Sequence, residues 1–184
     1  MQIGFSTGSL ALADFRRGLR MAQRRRLKAI ELSSLREHEL DPLLAALDAL
    51  RDDLAYFSYV SFHAPSRLER LSERHVTDAL QAIANRGWSI IVHPDIVQDF
   101  GLWRKLGTSV CIENMDRRKN IGCTAAQLSK FFDKLPQATF CFDIGHARQV
   151  DPTMQEAEKF IENFRGRLRQ VHMSYVNSQS AHER

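Results

Sequence analysis

The sequence has 184 residues, of which 43% are hydrophobic and 26% charged, and its formal net charge is +4. These values are ordinary for a globular protein, and no apolar run approaches the roughly 18 residues of a membrane-spanning helix, so a membrane protein is not expected. The length suits one domain with its own core, and we expect a single domain over residues 1–184. The first residues, MQIGFSTGSL, read as a strand and not as a signal peptide.

The predicted elements alternate strictly between strand and helix along the chain. The predicted strands cover residues 2–6, 29–33, 58–63, 89–93, 109–113, 139–143 and 169–174. The predicted helices lie near residues 11–25, 40–51, 71–85, 96–106, 124–134 and 153–164. Such alternation implies an α/β fold with a parallel sheet and right-handed crossovers.

Two of these helices carry further expectations. In the first helix we expect Leu12, Phe15, Leu19 and Ala22 to form a buried stripe. Its arginines indicate either a solvated outer face or a surface that meets nucleic acid or a phosphorylated substrate. These arginines are Arg16, Arg17, Arg20, Arg24, Arg25 and Arg26. In the second helix, Asp41 is the expected N-cap and Pro42 the first helical residue.

Three cysteines occur, and no CxxC spacing is present. Cys111 and Cys141 each precede an acidic strand-end residue by two positions, so they are expected to face the same side of their strands as small interior residues. With Cys123, they predict a reduced, cytoplasmic protein.

Six of the predicted strands carry an acidic residue or a histidine at or near their C-terminal end. These residues are Glu31, His63, His93, Glu113, Asp143 and His172. Most of them lie about 30 residues apart, which is the length of one strand with its crossover helix. In a closed parallel barrel, such residues converge at the C-terminal mouth, where active sites lie.

An open, doubly wound sheet is the competing architecture. It predicts a glycine-rich phosphate loop after the first strand and polar residues concentrated at one switch point. The segment FSTGSL contains one glycine and no GxGxxG, and the polar strand ends extend from the second strand to the seventh. We therefore predict a parallel (β/α) TIM-type barrel.

Carboxylates and imidazoles that converge at one mouth suit a divalent metal such as zinc, manganese or iron. Glu113 and Asp143 end otherwise apolar strands, and a buried carboxylate there needs a cation or a hydrogen-bond donor. The sequence therefore predicts a metal-binding protein. Glu31 is equally consistent with a structural carboxylate and with a substrate ligand.

Five strand-end segments resemble those of the xylose isomerase-like TIM barrels, the superfamily of endonuclease IV and many sugar isomerases and epimerases. The matching segments are His63-Ala64-Pro65, His93-Pro94-Asp95, Glu113-Asn114, Asp143-Ile144-Gly145-His146 and Val171-His172-Met173-Ser174. They occur in the order and at the spacing of such a barrel, from its third strand to its seventh.

The resemblance to the sugar isomerases and epimerases implies a metal held by residues on strands five to eight. Glu113, Asp143 and His172 match the first three ligands, and His146 matches a position that contacts substrate or another metal. The sequence reaches Arg184 without an eighth predicted strand, so the fourth ligand, normally a glutamate, is expected to be missing. We assign Glu113 and His146 as candidate catalytic residues, and Glu31 and His146 as candidate substrate ligands.

The resemblance to endonuclease IV implies a second metal that shares Glu113 with His63 and His93. A third metal in those enzymes uses a later histidine in a D-x-H arrangement. His182 lies near that place, but its partner position is Ser180. His182 is therefore a candidate ligand for an ion that this sequence supports less well.

Three functions follow as expectations. The first is a divalent-metal-dependent sugar or sugar-phosphate isomerase or epimerase. The second is an endonuclease IV-like phosphodiesterase acting on abasic DNA, and the third is a catalytically degenerate barrel that binds a ligand or partner. A small-molecule sugar or sugar phosphate is the expected partner, with DNA as the alternative. Because a barrel without its eighth strand has open edges, a homo-oligomer is also expected.

Overall fold

A computed structural model describes residues 2–177 and 182–183; at Tyr175, Val176, His182 and Glu183 the description is of the backbone. The chain divides into two compact units, Met1–Ile90 and Ile91–Arg184. The two units are built alike, from parallel strands in chain order and the helices that follow them.

The first unit contains three parallel strands in the order β1, β2, β3. They are β1 (Gly4–Ser6), β2 (Ala29–Ser33) and β3 (Tyr59–His63). The register pairs Phe5 with Ile30 and Ala29 with Tyr59. The helices are α1 (Thr7–Ala11), α2 (Phe15–Arg24), α3 (Glu37–Ala46), α4 (Arg51–Ala55) and α5 (Glu73–Ala84).

The first predicted helix, residues 11–25, is interrupted: it covers the last residue of α1 and all of α2. The Ser6 hydroxyl caps α1 and Asp14 caps α2, and between them Leu12 has a positive φ of 54° that a continuous helix does not allow. Leu12 is 56% exposed, so its predicted burial is wrong, whereas Leu19 and Ala22 are buried as predicted.

The predicted start of the second helix is also wrong. The helix α3 begins at Glu37, and Pro42 lies inside it. The Glu39 carboxylate accepts a hydrogen bond from the backbone N of Arg36 at 3.0 Å, which stabilises the earlier start. Asp41 instead lies 3.2 Å from Nε2 of His75 on α5.

The strand β4 (Ser89–Val92) includes the point in the chain where the second unit begins. The parallel strands that follow are β5 (Val110–Glu113), β6 (Thr139–Asp143) and β7 (Leu168–His172), paired in that order. The helices are α6 (Phe100–Arg104), α7 (Ala125–Lys134), α8 (Ile144–Val150) and α9 (Gln155–Phe164), with single 3₁₀ turns at Pro94–Ile96, Gly107–Ser109 and Arg165–Arg167. Two short antiparallel strands follow, β8 (Tyr175–Val176) and β9 (His182–Glu183).

In the core of the second unit, aromatic side chains cover one side of the sheet and smaller side chains cover the other. Phe140 lies 6.2 Å from Phe132, 5.8 Å from Phe160 and 5.5 Å from Phe164, measured between ring centroids, so α7 and α9 pack against β6. Cys111 and Cys141 cluster with Ile91, all fully buried, as expected for small interior residues.

These elements confirm the predicted fold class, an α/β TIM-type fold with seven strands. Residues 2–177 and 182–183 contain no eighth parallel strand after β7. The single-domain expectation stays a prediction. No helix in the described part of the chain has the length and apolar character needed to cross a membrane.

Candidate metal centre

Two carboxylates end neighbouring strands of the second unit. Glu113 is the last residue of β5 and Asp143 is the last residue of β6. Both are buried, with 1% and 2% of their surface exposed. Because β5 and β6 are parallel, both side chains lie at the carboxyl edge of the sheet, where polar residues of this fold gather.

The two oxygens of Glu113 contact two different imidazoles. Nδ1 of His172, at the end of β7, lies 2.7 Å from Oε1. Nε2 of His93, directly after β4, lies 3.1 Å from Oε2. Since an ionised carboxylate only accepts hydrogen bonds, Nδ1 of His172 donates to Glu113. Gln170 Nε2 lies 2.8 Å from Nε2 of His172 and donates to that second nitrogen.

The two carboxylate oxygens of Asp143 have different roles, one in capping a helix and one in the candidate metal centre. Oδ1 accepts a hydrogen bond from the backbone N of His146 at 2.7 Å and so caps α8. Oδ2 lies 3.8 Å from Nδ1 of His146 and 4.0 Å from Nδ1 of His172. Burial raises the pKa of Asp143 and the negative charge of Glu113 raises it further, against the lowering effect of both histidines.

The side chain of Asn114, fully buried, holds this edge of the sheet together. Its Oδ1 accepts from the backbone N of Asp143 at 2.7 Å, and its Nδ2 donates to the backbone O of Asp143 at 2.8 Å. The backbone O of Asn114 accepts from Nδ1 of His146 at 2.9 Å. Because a carbonyl oxygen cannot donate, Nδ1 of His146 carries the proton, and Nε2 is the ring nitrogen that can accept one.

A second acidic group, Asp116, lies next to His146. Its Oδ2 is 3.9 Å from Nε2 of His146, and the residue is 1% exposed. Burial acts to raise the pKa of Asp116, but hydrogen bonds from the Arg118 side chain and backbone, with the nearby positive charges, hold it below its ordinary value. The structure therefore keeps a buried anion beside this histidine.

The donor set fits a divalent cation. Glu113, Asp143 and His146 each offer one ligand atom within 4.8 Å of the others, and so do Glu113, Cys141 and His172. Two buried carboxylates that repel each other, surrounded by imidazole nitrogens, form the oxygen and nitrogen environment that zinc, manganese or iron prefers. A cation would offset the repulsion that raises the pKa of Asp143.

Of the predicted site residues, five lie together in the second unit: His93, Glu113, Asp143, His146 and His172. Glu31 and His63 belong to the first unit. Glu31 is buried, and Ser61 Oγ donates to its Oε2 at 3.5 Å. His63 is buried with Nδ1 2.7 Å from the backbone O of Ala64. Only the backbone of His182 is described, in β9, and its side chain and Ser180 lie outside the described residues.

The sequence reasoning gave no role to Asn114, Asp116 or Arg118, and treated Cys141 as packing alone. Asn114 directly follows the strand-end glutamate, and Asp116 stands two residues before an arginine in the same loop. The short spacing between Asp116 and Arg118 is the signal in the sequence that could have identified this pair, because an aspartate that is buried in a loop needs a hydrogen-bond donor nearby.

No family model matches this sequence, and no curated protein matches it. Solved structures do match. A D-allulose 3-epimerase from Methylomonas sp. is 20% identical with a TM-score of 0.59, over 95% of this chain and 72% of that chain. The probable 3-DHS dehydratase AsbF from Bacillus anthracis is 13% identical with a TM-score of 0.57, over 96% and 75%. A muconate cycloisomerase from Pseudomonas fluorescens is 14% identical with a TM-score of 0.53, over 86% and 43%.

At these identities the similarity establishes the fold. The resemblance of the sequence to xylose isomerase-like TIM barrels is thereby confirmed for the architecture. The chemistry has to be argued from the residues of this chain.

Proposed function

We propose that this chain is a divalent-metal-dependent enzyme that isomerises or epimerises a sugar or sugar phosphate. The observation that supports the proposal most is the buried Glu113, whose two oxygens face His172 and His93 while Asp143 lies beside it. The similarity in fold to a D-allulose 3-epimerase supports the same class of reaction.

Glu113, Asp143 and His172 would hold the ion. His172 reaches Glu113 at 2.7 Å and Asp143 at 4.0 Å, so the three side chains already converge. His93 on the second oxygen of Glu113 is the candidate ligand of a second ion. His63 as a further ligand, His182 as a ligand of a third ion and Glu31 as a substrate ligand stay predictions.

A bound divalent ion would polarise a substrate carbonyl and acidify the adjacent C–H or O–H bond. His146 is the group of this chain that moves the proton, because the hydrogen bond of Nδ1 to Asn114 leaves proton exchange to Nε2. The Asp116 carboxylate lies 3.9 Å from Nε2, and its negative charge would stabilise the imidazolium that forms when Nε2 takes up a proton. His146 is 4% exposed, which limits proton exchange with bulk water.

The test is an assay of the metal-loaded protein on a panel of ketoses, aldoses and their phosphates. We expect His146→Gln to lower kcat by about 10²- to 10⁴-fold, which is the usual contribution of a general acid or base. The matched control is His38→Gln on α3, whose side chain is exposed and far along the chain from the centre. No turnover on any sugar by metal-loaded protein would overturn the proposal.

A second candidate is a phosphodiesterase that acts on abasic DNA. It is favoured by the way Glu113 presents one oxygen to His93 and the other to His172, since a carboxylate shared in this manner suits two metal ions. Metal-dependent nicking of abasic-site DNA, with no sugar isomerisation, would identify the protein as a phosphodiesterase and not as an isomerase or epimerase. Activity on neither substrate, with metal binding intact, would favour a barrel that binds a ligand or partner.

We further propose that the enzyme works in the cytoplasm. Cys111, Cys123 and Cys141 are buried and form no disulfide, which suits a reducing compartment. Self-association stays a prediction.

A further inference from the structure

The positive charge of this chain is concentrated in one short segment of the first unit. Residues 15–26 contain six arginines and no acidic residue, a formal charge of +6, whereas the whole chain carries +4. The rest of the chain is therefore net negative, by two charges. The six residues, here called the arginine stripe, are Arg16, Arg17, Arg20, Arg24, Arg25 and Arg26.

The helix α2 places four of these arginines on one exposed face, and Arg25 and Arg26 directly follow its end. Arg16, Arg20 and Arg24 follow one another at four-residue spacing, which places them about 6 Å apart along the helix axis. Arg17 adjoins Arg20 at three-residue spacing. All six arginines are exposed.

The opposite face of α2 is already used for packing. Leu19 and Ala22 are 1% and 0% exposed, and a Cβ on Gly18 would lie 3.0 Å from Thr7, so the helix sits close against the start of α1. No large hydrophobic side chain within residues 15–26 is exposed. A helix that binds a lipid surface must place an apolar face in the membrane, and α2 has none to offer.

The stripe has no neutralising partners in the described part of the chain. None of its six guanidinium groups pairs with a carboxylate there; Arg16 instead lies over the Phe15 ring at 5.4 Å. Nearby acidic groups serve other donors: Asp14 accepts from the backbone N of Arg17 and Asp53 from Nε2 of Gln23. A solvated face normally intersperses both signs, since like charges four residues apart repel.

We propose that the arginine stripe binds the phosphate backbone of a nucleic acid without regard to base sequence. The guanidinium group is a planar fork that binds phosphate oxygens in pairs, and all six cations here are arginines. The row along α2 matches an elongated polyanion better than a single small anion. The site uses none of the residues of the candidate metal centre, so it does not depend on the proposed function.

The experiment measures fluorescence anisotropy of a labelled DNA duplex of about 20 base pairs between about 50 mM and 200 mM salt. If three arginines contact phosphates, affinity falls roughly 40-fold over this interval, a slope of about −2.7 in log affinity against log salt. Arg16→Gln with Arg20→Gln and Arg24→Gln removes most of this slope. The control, Arg70→Gln with Arg74→Gln and Arg165→Gln, loses the same charge from exposed positions elsewhere and should bind like the wild type.

Equal loss in both triple variants, or no duplex binding at the lower salt by the wild type, would overturn the proposal. Binding to vesicles of anionic phospholipid but not to the duplex would replace it with a membrane surface. A second measurement needs only the wild type, so it tests the proposal even if a triple variant does not fold. In the wild type, the duplex should protect Arg16, Arg20 and Arg24 from phenylglyoxal while Arg70, Arg74 and Arg165 stay reactive; uniform reactivity would also overturn it.

Discussion

The amide of Asn114 pairs with the backbone of Asp143 in both directions, accepting at 2.7 Å and donating at 2.8 Å. This pair links the residue after β5 to the last residue of β6. It fixes the backbone from which the Asp143 carboxylate projects, and the backbone O of Asn114 also fixes the ring of His146.

Asn114→Ala should therefore disturb both stability and metal binding. Leaving the N–H and C=O of Asp143 buried without partners costs about 1–3 kcal/mol. We expect a lower Tm in thermal melting and weaker metal binding in titration calorimetry. Asn120→Ala, at an exposed position in the same loop, is the control and should match the wild type. A full-strength metal site in Asn114→Ala would contradict the positioning role.

Asp143 should make the metal-free protein less stable as the pH rises. Its pKa is raised above the ordinary 3.8, first by burial and then by Glu113, so the folded state holds the proton more tightly than the unfolded chain. Stability is therefore lost as the pH rises from that value through the raised one. In chelator at neutral pH, Asp143→Asn should raise Tm, because the amide oxygen can still cap α8.

The same substitution should have the opposite effect with metal present, because it removes a charged ligand. Melting curves with and without added zinc or manganese, across pH, would separate the two effects. An Asp143→Asn protein that melts below the wild type in chelator would show that the carboxylate is not under repulsion.

Cys123 should be unreactive towards thiol reagents in the folded protein. Burial, with the negative charges of Asp116 and Asp95, raises the pKa of its thiol to about 11. Sγ also donates to the backbone O of Asp116 at 3.1 Å. At pH 8 the thiolate fraction is therefore about 1 in 1,000, by the definition of the pKa. Ellman's reagent should label all three cysteines after unfolding, and fast labelling of Cys123 before unfolding would contradict this.

Gly122 is a position that should not tolerate a side chain. Its φ is +84°, and a Cβ there would lie 2.4 Å from Cγ of Pro94 and 3.1 Å from Cγ of Met115. Gly122→Ala should cost about 2 kcal/mol or more, since strain and a clash add. Gly166→Ala is the control, because a Cβ at Gly166 meets nothing within 4 Å. Equal denaturant midpoints for the two variants would contradict the argument.

The strand ends could be read from the sequence because their signal is local. The buried runs of β5 and β6 end on a polar residue at the predicted position, and a parallel sheet brings such ends to one edge. Glu31 does not end its strand, because β2 continues to Ser33. The extent of α7 and the burial of Cys111 and Cys141 follow from equally local patterns.

The errors arose where tertiary contacts outweighed local preference. The carboxylate of Glu37 accepts from the backbone N of Glu69, Arg70 and Leu71, contacts some 30 residues away along the chain that place Glu37 in the first turn of α3. The roles of Asn114 and Asp116 depend on their contacts with Asp143 and His146, which come from another segment of the chain. Periodicity carries none of this information.

The measurement that tests the central claim most directly is the metal content of protein purified without chelator and then soaked in zinc, manganese or iron(II). The account predicts at least one ion per chain in the wild type, with nearly all of it lost in Glu113→Gln, because Glu113 faces both His93 and His172. Glu158→Gln, at an exposed position on α9, should retain it. A wild type that binds no ion, or a Glu113→Gln variant that binds as much as the Glu158→Gln control, would contradict the account.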